Sequence, residues 1–332
     1  MMRTAPAFIL LQSEIRIPPL RIRLTVVAAS LTLACVGTPQ IPFPERRFEE
    51  MTPPPRERVN EYTPDEPPWG ILGAVGVWCM SFVFMLITQT ALVIGYLIYR
   101  GVELVAMRDA ILKDPRTIFV AIVSLLPAHL FTLGLAWLLV TGAGKRPFLR
   151  ALGWDWGRGF TLWRSGGLAV ALLLVGAGII KLTGSPDNEL ERLIESSRAA
   201  ALATAFLATV TAPFVEEVVY RGVLYSALRR AAGKGLAVFI VVLLFAGIHV
   251  PQYWPSFGVI GTILLLSLVL TLIRARTERL LPCFVVHLVF NGIQSALIVL
   301  DPYIEQLSPE KAPPPSPGAL LHVLLQLFTS HL

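Results

Sequence analysis

Two adjacent carboxylates and an arginine, Glu216, Glu217 and Arg221, lie in a stretch that is otherwise apolar enough to be buried in lipid. Ionised side chains are costly inside a bilayer, so a chain that keeps them there is expected to use them. Two further polar interruptions follow in later apolar runs: His249, four residues after Phe245, and the pair His287 and Asn291. A carboxylate and two imidazoles in dry surroundings can make a water molecule attack an amide bond. On a helix Glu217 and Arg221 are four apart and share a face, whereas Glu216 points about 100° away. The spacing therefore predicts that Arg221 neutralises and holds Glu217, leaving Glu216 to face a cavity. His287 and Asn291 also share one helical face and predict a joint role. That role is either a pair of donors aimed at one site or an interhelical hydrogen-bond pair. Phe245 reads as core packing one turn before His249, and His129 in an earlier run reads as structural.

Two chemistries fit these residues. In the first, Glu216 is a general base for water, with its pKa raised in a desolvated pocket, and His249 helps to orient the water. His287 and Asn291 then donate to the oxyanion of the tetrahedral intermediate. In the second, Glu216, His249 and His287 are three ligands of a catalytic zinc with water in the fourth position. An asparagine amide suits oxyanion donation better than zinc ligation, which favours the metal-free version. The chain has no His-Glu-x-x-His motif, no paired cysteines and no Gly-x-Ser-x-Gly motif.

The elements that must carry these groups follow from hydropathy. The chain of 332 residues is 55% hydrophobic and only 15% charged, with a mean hydropathy of +0.67, which marks a membrane protein. Apolar runs near 71–98, 118–141, 165–182, 199–227, 235–250, 256–273 and 280–300 are each about long enough to span. Leu320 to Phe328 is short for a span and offers a partial eighth. Lipid cannot satisfy backbone hydrogen bonds, so the expected fold is an all-α polytopic bundle of about seven to eight helices over residues 70–332. Counted at about 1.5 Å per residue from the basic ends, Glu216, His249 and His287 lie roughly 10–21 Å deep.

The net charge of +6 is spread over short loops, which speaks for membrane topology and against nucleic-acid binding. Lys145, Arg146, Arg150, Arg158 and Arg164 make one basic loop; Arg229, Arg230 and Lys234 make another; Arg274, Arg276 and Arg279 make a third. The acidic connections, Asp187 to Glu195 and Asp301 to Glu310, alternate with them, so the basic loops are expected in the cytoplasm. The loop bearing Arg100, Arg108, Lys113 and Arg116 breaks the pattern. Residues 1–37 form an N-terminal extension whose apolar run, Leu24 to Val36, suits a signal-like segment. Residues 38–69, dense in proline and both charge signs, read as a disordered linker. Cys35, Cys79 and Cys283 have no metal-type spacing.

Glu216-Glu217-x-x-x-Arg221, Phe245-x-x-x-His249 and His287-x-x-x-Asn291, in this order on successive late helices, resemble the CAAX-processing and bacteriocin-processing (CPBP, or Abi) intramembrane peptidases. That family includes the type II CAAX prenyl endopeptidases. The resemblance covers roughly residues 165–300, with its motif core at 210–295. It implies a multi-pass protein of a bacterial cytoplasmic membrane that hydrolyses a membrane-anchored protein or peptide in a polar pocket open to the cytosol. It also implies Glu216 as the water-activating glutamate, His249 as its partner and His287 with Asn291 as the oxyanion pair. Glu217 and Arg221 are then supporting residues, and the family is often labelled metalloprotease. Two other readings use the same buried charges: a transporter, against which the absence of an internal repeat stands, and a non-catalytic immunity or binding protein. Neither substrate identity nor oligomeric state is written in the sequence.

Overall fold

The computed structural model describes residues 14–17, 20–23, 64, 66–157, 159–184, 186 and 188–306. The chain divides into two units, Met1–Val59 and Asn60–Leu332. In the first, two four-residue strands, Glu14–Ile17 and Leu20–Arg23, pair antiparallel with Ile15 opposite Ile22. The apolar run Leu24 to Val36 and the partial span Leu320 to Phe328 lie outside the described residues.

The second unit is an all-α polytopic bundle, with seven helices among the described residues long and apolar enough to cross a membrane. These are α1 (Ile71–Tyr99), α2 (Pro115–Thr141), α3 (Leu162–Thr183), α4 (Arg198–Ala232), α5 (Lys234–Tyr253), α6 (Phe257–Thr277) and α7 (Leu281–Gln306). Their most apolar windows have a mean hydropathy of 1.5 to 2.2, yet only 11–44% of each window is buried. Most of the apolar surface therefore faces outward, where lipid and not water is the compatible solvent. The sequence sets the helix starts locally. The Asp114 side chain accepts from the backbone N–H groups of Arg116 and Thr117 ahead of Pro115 at α2. The Thr117 hydroxyl and these N–H groups hold its carboxyl below the usual carboxylate range. Thr161 and Ser197 cap α3 and α4 in the same way.

Two buried clusters make up most of the core. One gathers α1, α2, α4 and α5 around Val140, Val218, Val223, Val241 and Phe245. The other gathers α3, α6 and α7 around Ala169, Leu270, Val286 and Phe290. Glycine allows the close crossing of α3 and α6: a Cβ at Gly258 would lie 3.0 Å from the Ile180 Cα.

The last residues before α1 dock on the bundle. Pro64, Pro67 and Trp69 are buried on the bundle. Their polar atoms meet partners there: Arg274 Nη2 donates to Pro64 O at 3.2 Å, Arg230 Nη1 to Pro67 O at 2.5 Å, and Trp69 Nε1 to Val223 O at 3.1 Å. A proline carbonyl remains a full acceptor although its nitrogen cannot donate, which lets Arg274 and Arg230 anchor this segment.

Candidate active site

Helix α4 is not regular where the carboxylates sit. Wide π turns at Leu207–Thr211 and Glu217–Leu224 flank a short α stretch, Ala212–Glu216. Such turns are rare in helices and concentrate at functional sites. Pro213 explains part of the pattern. The Ala212 N–H bonds Leu207 O in the five-residue register, so the next carbonyl, Ala208 O, would look to residue 213, a proline without an N–H. Asn291 of α7 supplies the missing donor, with Nδ2 3.0 Å from Ala208 O. One amide hydrogen of Asn291 thus holds α7 to α4, and a second remains.

Glu217 is the hub of the buried charge. Its side chain and that of Arg221 are both fully buried and paired, Nη1 to Oε1, at 3.0 Å. Arg221 spends its other donors on Thr271 Oγ1 (3.3 Å) and on the Ser267 hydroxyl (3.0 Å) and carbonyl (3.3 Å) of α6. Its guanidinium also lies 4.3 Å from the centre of the Phe245 ring. The same Glu217 oxygen is 2.8 Å from His287 Nδ1. A carboxylate paired with a buried guanidinium is ionised and can only accept, so His287 carries its hydrogen on Nδ1. Nε2 then turns towards Glu216, 3.7 Å from Oε2. Glu216 is the more open carboxylate, its side chain 22% exposed against 0% for Glu217.

His249 is half-buried, with Nδ1 2.7 Å from Phe245 O. A carbonyl only accepts, so this imidazole too holds its hydrogen on Nδ1 and presents a lone pair at Nε2. Phe245 touches several groups at once: Tyr220 at 5.2 Å, His249 at 4.8 Å and His287 at 5.9 Å between ring centres. The structure thus brings Glu216, Glu217, Arg221 and His287 into one connected group. It sets His249 beside them across the Phe245 ring and engages Asn291 with the α4 backbone. The zinc set is not assembled: among the described residues no three His, Cys, Asp or Glu side chains stand close enough to hold a metal. Glu216, His249 and His287 therefore do not fit as a ready three-ligand site.

Residues 198–293, which contain every group just described, match the family model of the type II CAAX prenyl endopeptidase Rce1-like proteins. This segment is similar to the type II CAAX prenyl endopeptidases over that stretch. No curated protein and no solved structure matches the chain. The matched segment runs from the start of α4 into α7, so it holds both carboxylates, Arg221, Phe245, both late histidines and Asn291.

Around this core other groups gather: Trp78 and Tyr253, which sequence reasoning passed over, and His129, which it read as structural. Trp78 of α1 donates from Nε1 to the Tyr220 hydroxyl at 2.9 Å. His129 of α2 lies with Nδ1 2.9 Å from the Thr211 hydroxyl. Tyr253, at the end of α5, stacks near His249 at 6.5 Å and also lies within electrostatic reach of Glu216. Of these, only His129 stood out in the sequence, as a polar residue in an apolar run. Ser267 and Thr271, four apart on α6, mark the face that receives Arg221, but hydroxyls are common enough in spans to carry little signal alone.

Proposed function

We propose that the chain is an intramembrane endopeptidase that hydrolyses a peptide bond of a membrane-anchored protein or peptide. Glu216 takes a proton from water, and the resulting hydroxide attacks the scissile carbonyl carbon. His249, through its Nε2 lone pair, accepts a hydrogen bond from that water and fixes its direction. The tetrahedral oxyanion receives the second Asn291 amide hydrogen and the Nε2–H of His287 once that imidazole is doubly protonated. The carbon–nitrogen bond then breaks, and the proton held by Glu216 passes to the leaving amine. Residues 70–332 form the peptidase domain in this reading, and the basic loops lie on the cytoplasmic side.

The single observation that supports the reading is the buried chain from Arg221 through Glu217 and His287 to the more open Glu216. A purely structural ion pair would end at Arg221 and Glu217. The match of residues 198–293 to a peptidase family model supports hydrolysis over transport. The test is cleavage of a membrane-anchored reporter peptide by purified protein. Glu216→Gln should abolish turnover and His249→Ala should lower it by about 10²-fold or more, with folding retained. Wild-type rates in both variants would refute the assignment.

A further inference from the structure

A cavity of about 460 Å³ lies between α1 and α2, on residues that the peptidase reading does not use. Ala91 and Gly95, four apart on α1, are the small residues of its lining, and a Cβ built at Gly95 would meet nothing within 4 Å. Tyr96 of α1 and Phe119, Val120 and Val123 of α2 wall it. Small residues four apart usually let a second helix approach closely. Here the trough beside Gly95 is open, so an apolar group from the membrane can lie in it.

The mouth of this groove is charged. Arg100, just past α1, lies against Tyr96, with Nη1 3.3 Å from the tyrosine hydroxyl and Cζ 5.7 Å from the ring centre. Arg116, in the first turn of α2, stands three and four residues before Phe119 and Val120 and so shares the face that lines the groove. Both arginines are exposed. Asp114 pairs with Arg100 at 3.1 Å and Asp109 with Lys113 at 3.3 Å, whereas Arg116 has no salt-bridge partner among the described residues. One cation at the mouth is therefore uncompensated. This is also the basic stretch that breaks the alternation of loop charge. In the topology proposed above it lies across the membrane from the loop bearing Arg146, where the positive-inside rule does not account for its cations.

We propose that the groove binds an anionic phospholipid, with one acyl chain along Ala91 and Gly95 and the phosphate between Arg100 and Arg116. A guanidinium at a helix end reaches the headgroup layer while its stem covers apolar surface, and it can hold a phosphate through two parallel hydrogen bonds. Basic residues at the mouth of an interhelical groove select anionic headgroups. From Arg100 to Ala91 the groove runs roughly 14 Å along α1, so its charged and apolar ends are set apart as they are in the lipid. The inference stands independently of the peptidase reading.

The experiment mixes full-length protein in detergent with phosphatidylglycerol or phosphatidylcholine of identical chains and counts retained lipid by native mass spectrometry, with thermal unfolding alongside. Wild type should retain one phosphatidylglycerol about five- to tenfold more than phosphatidylcholine, the scale of one basic side chain at an anionic headgroup. Arg116→Gln should bring that ratio to within about twofold of one. Gly95→Leu fills the trough and should lower retention of both lipids about tenfold, while its lipid-free unfolding midpoint stays at or above that of wild type because leucine is the better helix former. Glycerol phosphate, which has the charge but no chain, should not displace the bound lipid. No preference in wild type, wild-type behaviour by either variant, or displacement by glycerol phosphate would overturn the proposal. A lipid-free dimer that Gly95→Leu converts to monomer would also overturn it and give the groove to a second copy of the chain. Arg116→Gln, a change on the exposed surface, carries the test alone if Gly95→Leu does not fold.

Discussion

Arg221 has all three guanidinium nitrogens engaged and no exposed surface, so it depends on its partners staying in place. A buried pair is a poor source of net stability because desolvation offsets the Coulombic gain. Removing one member is another matter, since it strands the other charge. Glu217→Leu should therefore cost about 3–5 kcal/mol in detergent unfolding and should release His287 from its tautomer; a cost below about 1 kcal/mol would contradict the buried geometry. Asn291→Leu keeps the volume but leaves Ala208 O without its donor, and should cost about 1–3 kcal/mol. A silent variant would mean that the bond to Ala208 contributes nothing. The Glu217–Arg221 pair was legible because a helix brings residues four apart together. The His287–Glu217 bond was not, since it joins residues seventy apart and depends on how α7 docks on α4.

Helix α4 shows what sequence reading misses at the next scale. Hydropathy located its apolar run and the polar interruption, but gave no hint that two π turns would bracket Glu216. Pro213 was the available clue, because a proline inside a span must leave a carbonyl for something else to satisfy. The second π turn leans on side chains in the same way, with Arg221 O accepting from Arg274 Nε at 3.2 Å and Val223 O from Trp69 Nε1. The segment at 64–69 thus braces the same helix that carries the carboxylates. Deleting residues 1–59 should leave thermal stability within a few degrees of full length, whereas deleting residues 1–69 should lower it clearly; equal midpoints would contradict the bracing role. The α3–α6 crossing gives an independent check. Gly258→Val forces the helices apart and should cost about 1–3 kcal/mol, read by unfolding in detergent.

For the whole molecule, class and span number were readable because they follow from the bilayer's demands on apolar length and backbone hydrogen bonding. Convergence was not readable, because it depends on helix packing that composition does not encode. Glu216 and His287 come together only because α4 and α7 approach along one seam, and α1 and α2 add Trp78 and His129 from helices with no motif of their own. The loops bearing Arg146, Arg230 and Arg276 should all face the cytoplasm, so cysteines introduced at these positions should resist an impermeant thiol reagent in intact cells. Labelling at all three would reverse the proposed topology. The central claim is that this buried assembly hydrolyses a peptide bond by making Glu216 the base for water. The most direct measurement is cleavage of an anchored reporter in ¹⁸O-labelled water, using purified protein in lipid nanodiscs and mass spectrometry of the product. The account predicts one labelled oxygen at the new C-terminal carboxylate for wild type and no product for Glu216→Gln. Labelled product from Glu216→Gln at the wild-type rate would contradict it.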